Sequence, residues 1–392
     1  MGNSSEIKNM ARAAADMLKE LIGIPSVTFN EGNVADYLYG YLNEESLKCD
    51  GGFRVVRIAN NIAAIPASYN NNWPTLLLNA HCDTVSPAQS YTLPPFEATE
   101  KDGAIYGLGS NDDGGSIVTL TQTFLHFATA EKLPENNNLN IVLLISAEEE
   151  RSGEKGIAFA LKELGNSGIK VDFAIIGEPT GMSAAVAERG LLVIDGLAEG
   201  ISGHAARGEG TNAIYKALED IEILRNCKFG KTSELMGDVR LSVTQINAGS
   251  THNVIPDKCT FVVDIRPTEK YTNQEILDLL QSSVGSKLTP RNLSNRSSAT
   301  PKGHFLFKAL EMAGIGTFVS STTSDWMKIG DIPAIKIGPG DSGRSHKADE
   351  FIYMEEIGTG ISVYIKLIKS ILKTVPQNNT KFKITRDGNT ME

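Results

Sequence analysis

Four short, unbroken apolar runs constrain this chain most: Leu76-Leu77-Leu78, Ile141 to Ile145, Phe173 to Ile176 and Ile332 to Ile337. A strand with one wet face alternates apolar and polar residues. An unbroken run suits a strand buried on both faces, as in a largely parallel sheet covered by helices. Helical spacing recurs around these runs. Ile7, Met10, Ala14, Met17, Leu18 and Leu21 mark a helix over residues 6–22, ended by Pro25, and a second helical stretch runs from about Val34 to Leu47. Ile117, Leu120, Phe124, Leu125 and Ala128 mark another between the first two runs. Strands alternating with helices predict an α/β domain with a mixed, largely parallel sheet.

The middle of the chain has a different rhythm. Leu191 to Ala198 reads as a strand and Thr211 to Arg225 as a helix. Val239, Leu241 and Val243 alternate with polar residues, as do Phe261, Val263 and Ile265, and residues 273–284 are helical again. With a last short strand near Leu288, this order fits a ferredoxin-like α+β unit. The Ser/Asn-rich stretch Ser294 to Thr300 reads as a linker, after which the α/β pattern resumes. The expected organisation is a domain of residues 1–185 plus 297–392, interrupted by an inserted domain of residues 186–296. Its 392 residues suit two or three domains of roughly 100–200 residues. The polar tail, Gln377 to Glu392, is expected to lie outside the folded core.

The formal net charge of −10 disfavours nucleic acid and anionic membrane surfaces as partners. The apolar runs are far too short to span a bilayer. Met1 to Ala15 lacks the basic-then-apolar pattern of a signal peptide. Cys49, Cys82, Cys227 and Cys259 are scattered, with no C-x-x-C pair, and read as free thiols. A cytoplasmic location is expected.

The chemistry gathers where the apolar runs end. The first leads to His81 and Asp83, the second to Glu148-Glu149-Glu150, the third to Glu178, and the fourth, through Gly338-Pro339-Gly340, to His346. In open α/β sheets, ligands bind beyond the carboxyl ends of the strands. A further acidic loop, Gly107 to Gly115, carries Asp112 and Asp113 ahead of a helix. Taken singly, each motif has a plain structural reading. His81 could be a surface histidine, one of the two aspartates a helix cap, the Glu triplet hydrated acids on an emerging strand, Glu178 a turn residue and His346 a loop residue. Two histidines and several acids at successive strand ends are better explained together. Mixed imidazole and carboxylate donors suit Zn²⁺, Mn²⁺ or Co²⁺, and two such ions together would activate water and polarise a carbonyl.

These motifs, in this order over nearly the whole chain, resemble the M20 family of metallohydrolases. The family includes acetylornithine deacetylases, succinyl-diaminopimelate desuccinylases, aminoacylases and some carboxypeptidases. The resemblance implies a catalytic domain with an inserted lid/dimerisation domain and two Zn²⁺ per subunit, with Co²⁺ or Mn²⁺ as substitutes. His81, Asp112 and Glu178 resemble the ligands of the first metal, Asp112 being the bridge. Glu150 and His346 resemble ligands of the second. Asp83 resembles the acid that orients His81, and Glu149 the general base. The triplet admits a second register, with Glu148 as base and Glu149 as ligand. The later pair is preferred because the family usually carries another acid ahead of its Glu-Glu. His204, in Gly203-His204-Ala205-Ala206, resembles the lid histidine that reaches a partner's active site to stabilise the oxyanion. Asn253 and Arg266 match substrate-holding positions; Arg266 also has a plain reading as a strand ion pair. Ser324-Asp325 reads as a helix cap or a supporting pair, His126 as structural and His304 as a surface residue.

The activity implied is removal of an N-acyl group from a small amino-acid substrate by a homodimer formed through the lid. The first expectation is N-acetyl- or N-succinyl-ornithine or -citrulline, as in arginine biosynthesis. Succinyl-diaminopimelate desuccinylation and dipeptide hydrolysis come next, and a non-catalytic metal- or amino-acid-binding protein is the rival of another class.

Overall fold

The computed structural model describes residues 4–49, 52–128 and 138–376, so the tail Gln377 to Glu392 lies outside the described residues. The chain forms two compact units. The first comprises Met1–Val186, Thr300–Phe318 and Ser324–Glu392, and the second Ala187–Ala299 and Val319–Thr323.

The central sheet of the first unit runs, in spatial order, Phe53–Ile58, Asn61–Pro66, Asn140–Ser146, Thr75–His81, Phe173–Ile176, Ala334–Lys336 and Ala184–Glu188, the last carrying the chain out of the unit. Its centre is parallel. Thr75–His81 lies parallel to Asn140–Ser146 on one side and to Phe173–Ile176 on the other, and Phe173–Ile176 is parallel to Ala334–Lys336. Antiparallel neighbours flank that core. Every residue of Thr75–His81 and Asn140–Ser146 is buried, the condition their unbroken apolar runs imply.

Alternate residues serve opposite faces. Leu76 and Leu78 enter a core with Leu18, Leu38, Phe124, Tyr364 and Ile368, which come from helices Ser4–Ile22, Gly32–Lys48, Gly115–Ala128 and Met354–Thr374. Leu77 enters a second core with Ala160 and Leu164 of helix Ile157–Asn166 and with Trp326. The sheet is therefore covered on both faces, an α/β unit of helix, sheet and helix layers. The hairpin Phe53–Ile58/Asn61–Pro66 escapes the apolar-run criterion, because its outer strand is only partly buried.

The second unit is a four-stranded antiparallel sheet in the order Arg240–Ala248, Lys258–Arg266, Leu192–Glu199 and Lys287–Pro290. Helices Ala213–Arg225 and Asn273–Ser283 complete a β-α-β-β-α-β chain order. Ala217, Leu224, Ile276 and Leu280 pack against Ile194, Phe261 and Val263. Asn212 caps the first helix through Ile214 N, and Thr272 with Glu275 forms a capping box on the second.

The linker expected at Ser294 to Thr300 is instead built into the fold. Ser297, Ser298 and Thr300 are buried, and Ser298–Ala299 is a short strand. Ser297 Oγ accepts from Gly190 N at 2.9 Å and donates to Pro267 O at 2.8 Å. The hydroxyls that mark a loop in sequence here satisfy main-chain groups.

Candidate metal centre

The carboxyl ends of the buried strands bring the acids and imidazoles of the first unit together. Among the described residues, His81, Asp112 and Glu150 each offer a ligand atom within 4.8 Å of the others. Asp112 faces both histidines: Oδ1 lies 3.2 Å from His81 Nε2, and Oδ2 lies 3.7 Å from His346 Nε2. His346 Nε2 is also 3.0 Å from Glu150 Oε1. A carboxylate with one oxygen toward each imidazole has the form needed to bridge two cations.

The Glu triplet resolves into three environments. Glu148 adopts φ +60°, and its carboxylate accepts from Lys155 N at 2.8 Å, closing its own loop. Glu150 lies beside His346. Burial, with Asp325, Glu150 and Asp83 nearby, holds the Glu149 carboxyl well above the ordinary value, and His81 opposes the shift. Glu178 follows Phe173–Ile176 and is likewise pushed well up, first by burial and then by Asp112, while Lys336 pulls the other way. Gly338 packs directly on it: a Cβ there would sit 2.5 Å from Glu178 O and from Ser116 Oγ. The loop between Ala334–Lys336 and His346 can pass only as glycine at that point.

Asp83 is fully buried and holds more than the histidine ring. His81 Nδ1 is 2.9 Å from the Asp83 main-chain carbonyl and 3.5 Å from its carboxylate. The carboxylate itself accepts from Glu149 N at 2.9 Å, from Glu150 N at 3.1 Å and from Thr28 Oγ1 at 2.9 Å. Burial alone would raise its pKa; His81 and the two N–H groups more than offset that and keep it ionised below the ordinary value. Burial likewise works against protonating His81, but hydrogen bonds to Asp112 and Asp83 raise its pKa well above normal.

Neither aspartate of the acidic loop acts as the helix cap considered above. Asp113 Oδ2 accepts the His81 main-chain N–H at 3.3 Å, and the Asp112 main-chain N–H donates to Glu350. Asp325, beside its N-cap Ser324, accepts from Ser146 Oγ, and burial lifts its carboxyl to about 6. Glu350 has no sequence signal beyond its place four residues after His346. It is buried and accepts from Gly109 N, Asn111 N and Asp112 N at 3.2, 2.8 and 2.8 Å. Burial pushes its carboxyl to about 7 despite those three donors.

His204, Asn253 and Arg266 belong to the second unit. Strand Gly203–His204 pairs with Val254–Ile255, and Ala205 N donates to Asn253 O at 3.0 Å, so His204 and Asn253 share one exposed ribbon. Arg266, at the end of Lys258–Arg266, grips Asp264 through Nε at 2.8 Å and Nη2 at 3.0 Å. His126 is buried, 3.0 Å from Glu6 Oε1. His304 is not the surface residue expected. Its ring lies tilted against that of Phe305, centroids 4.3 Å apart, its Nδ1 caps helix Phe305–Ala313 through Leu306 N, and burial pushes its pKa down to about 4.

The donor set tests well against a metal. It is imidazole and carboxylate only, since Cys82 packs in the apolar core. Acids crowded this closely in a partly buried site need cationic neutralisation. Hard or borderline cations of the zinc, cobalt or manganese type match such donors.

A family model described as Peptidase family M20/M25/M40 matches residues 77–370, and the chain belongs to that family. It is a hydrolase of amide bonds. Similar proteins include a succinyl-diaminopimelate desuccinylase of Wolbachia pipientis wMel, 24% identical over 375 residues that cover 91% of this chain and 92% of the relative. A tripeptidase from Staphylococcus aureus matches with a TM-score of 0.68 at 20% identity, over 93% of this chain and 99% of that one. A dinuclear metal-binding M20 peptidase from Bacillus subtilis matches with a TM-score of 0.65 at 17% identity, over 94% and 100% of the two chains. At these identities the two solved structures establish the fold.

Proposed function

We propose that this chain removes an N-acyl group from a small amino-acid substrate, using a pair of zinc-type ions with cobalt or manganese as substitutes. The observation that carries the reading is Asp112, whose two oxygens face His81 and His346 while Glu150 completes the group. His81, Asp112 and Glu178 would hold one ion, and Asp112, Glu150 and His346 the other. Bound there, the ions supply Lewis acidity and lower the pKa of water. Glu149, fixed through its N–H by Asp83, takes the proton of the attacking water and delivers it to the leaving nitrogen. Asp83 thus aligns the base as well as His81.

The second unit supports a homodimer. Arg240–Ala248 is an edge strand with Ile246 exposed, and helix Ala213–Arg225 exposes Tyr215 and Leu218. In such a dimer His204 of a second copy stabilises the oxyanion, while Asn253 and Arg266 hold the substrate. Arg266 must then share or exchange its Asp264 partner.

For the acyl group, the curated relatives favour succinyl over acetyl, and an N-succinyl amino acid is the leading substrate class. This ranks the desuccinylase reading above the acetylornithine one. Zinc- or cobalt-loaded protein should release free amine from an N-succinyl amino acid, with succinyl-diaminopimelate, N-acetylornithine and a dipeptide tested beside it. Chelation should abolish the release. Turnover of the dipeptide alone would overturn the acylase reading.

A further inference from the structure

We propose that Glu350 is a positioning residue that sets the geometry of the metal pair, an inference that rests on the dinuclear reading above. The segment carrying His346 and the loop carrying Asp112 are far apart in sequence and converge at the cluster. Two buried side chains join them. Glu350 accepts the N–H groups of Gly109, Asn111 and Asp112. Asn111 reaches back from the loop: its Nδ2 donates to Asp341 O at 3.1 Å and Ser345 Oγ at 3.3 Å, and its Oδ1 accepts from Asp341 N at 2.9 Å. Glu350 is 2% exposed and Asn111 0%, so both side chains lie out of water, although Asp341, at the far end of the Asn111 link, is exposed.

Each link acts beside a proposed ligand. The Glu350 carboxylate holds the Asp112 main chain itself, and Asn111 holds the residue just before His346. Asp112 can face both imidazoles only while these links keep the two segments in register. Three donors converging on one carboxylate explain why glutamate rather than glutamine suits the position. An amide would turn an N–H₂ toward one of the three N–H groups, leaving it unsatisfied. The neighbouring Asp349 has a different duty: it accepts from Thr92 N, Thr92 Oγ1 and Leu93 N, and ties the same segment to a loop that bears no ligand.

The test titrates full-length, chelator-stripped protein with Co²⁺, follows its visible ligand-field absorption, and measures amide hydrogen exchange. Wild type should take up two equivalents. In Glu350→Gln the second equivalent should weaken by about 10–100-fold, as loss of an outer hydrogen-bonding partner does. Its cobalt spectrum should change, and the Gly109, Asn111 and Asp112 amides should exchange faster. Glu350→Asp, which keeps the charge, should recover part of both effects, and Asp349→Asn should leave the cobalt spectrum unchanged. If Glu350→Gln does not fold, Glu350→Asp carries the same comparison. Unaltered cobalt binding and exchange in the variant would overturn the proposal. So would exchange raised throughout the protein rather than at the three amides, the mark of a merely structural role. Wild type that binds no cobalt would refute the dinuclear reading, and the exchange of the three amides would then decide the clamp by itself.

Discussion

Replacing Gly338 with alanine tests how tightly the sheet-end loops fix Glu178. The added Cβ would lie 2.5 Å from Glu178 O and from Ser116 Oγ and 3.0 Å from Glu178 N, where an ordinary contact begins at 3.4 Å. Three atoms crowd one methyl group, two of them main chain, so a side-chain rotation cannot relieve the overlap. Glu178 or the 338–340 loop must move by about 0.9 Å, the shortfall from ordinary contact. Overpacking of this kind costs about 1–3 kcal/mol of stability. Misplacement of a catalytic constellation by about 1 Å costs on the order of 10²-fold in rate. The expected result is a folded protein with kcat/KM lowered by about 100-fold and weaker metal binding. The assay is turnover of the best N-acyl substrate, with thermal unfolding in parallel. Wild-type turnover and metal affinity in Gly338→Ala would refute the claim that this approach sets the position of Glu178.

Two further outcomes follow from the geometry. His304 has a native pKa of about 4 against an ordinary 6.5, because burial favours its neutral form. Above pH 6.5 its contribution is complete. As pH falls, the unfolded chain binds a proton the native state refuses, so stability drops toward pH 4 by up to about 3 kcal/mol. His304→Asn keeps a helix cap without a titrating ring, and its stability between pH 7.5 and 4.5 should be flatter than wild type; parallel curves would contradict this. On the second unit, Ile246→Lys on the exposed edge strand should weaken self-association by at least about tenfold in sedimentation. Unchanged association, or a wild type that does not self-associate, would contradict the proposed dimer through this strand.

What the sequence revealed depended on whether a residue's partners were near or patterned. The parallel strands were legible because burial on both faces leaves no polar residue in Leu76-Leu77-Leu78 or Ile141 to Ile145. The ferredoxin-like order was legible because Val239 to Val243 and Phe261 to Ile265 alternate. His81, Asp112 and Glu150 stood out as ligand-type residues at strand ends and in an acidic loop. Glu350 did not, because an acid in a polar segment is ordinary; its partners lie about 240 residues away and are main-chain groups that no sequence pattern displays. Ser297 and Thr300 misled for a related reason. Their hydroxyls look solvated in sequence but bond buried main-chain atoms. His304 looked like a surface residue because its apolar neighbour Phe305, which covers it, belongs equally well to the helix it caps.

The proposed reaction has the Glu149 carboxylate, beside the proposed metal pair, move the proton. Its most direct test is Glu149→Gln in metal-loaded protein, with metal content and turnover measured on the same sample. Near-normal metal content is expected, with turnover lowered by at least about 10²-fold. Full turnover in a variant that still holds its metals would contradict it.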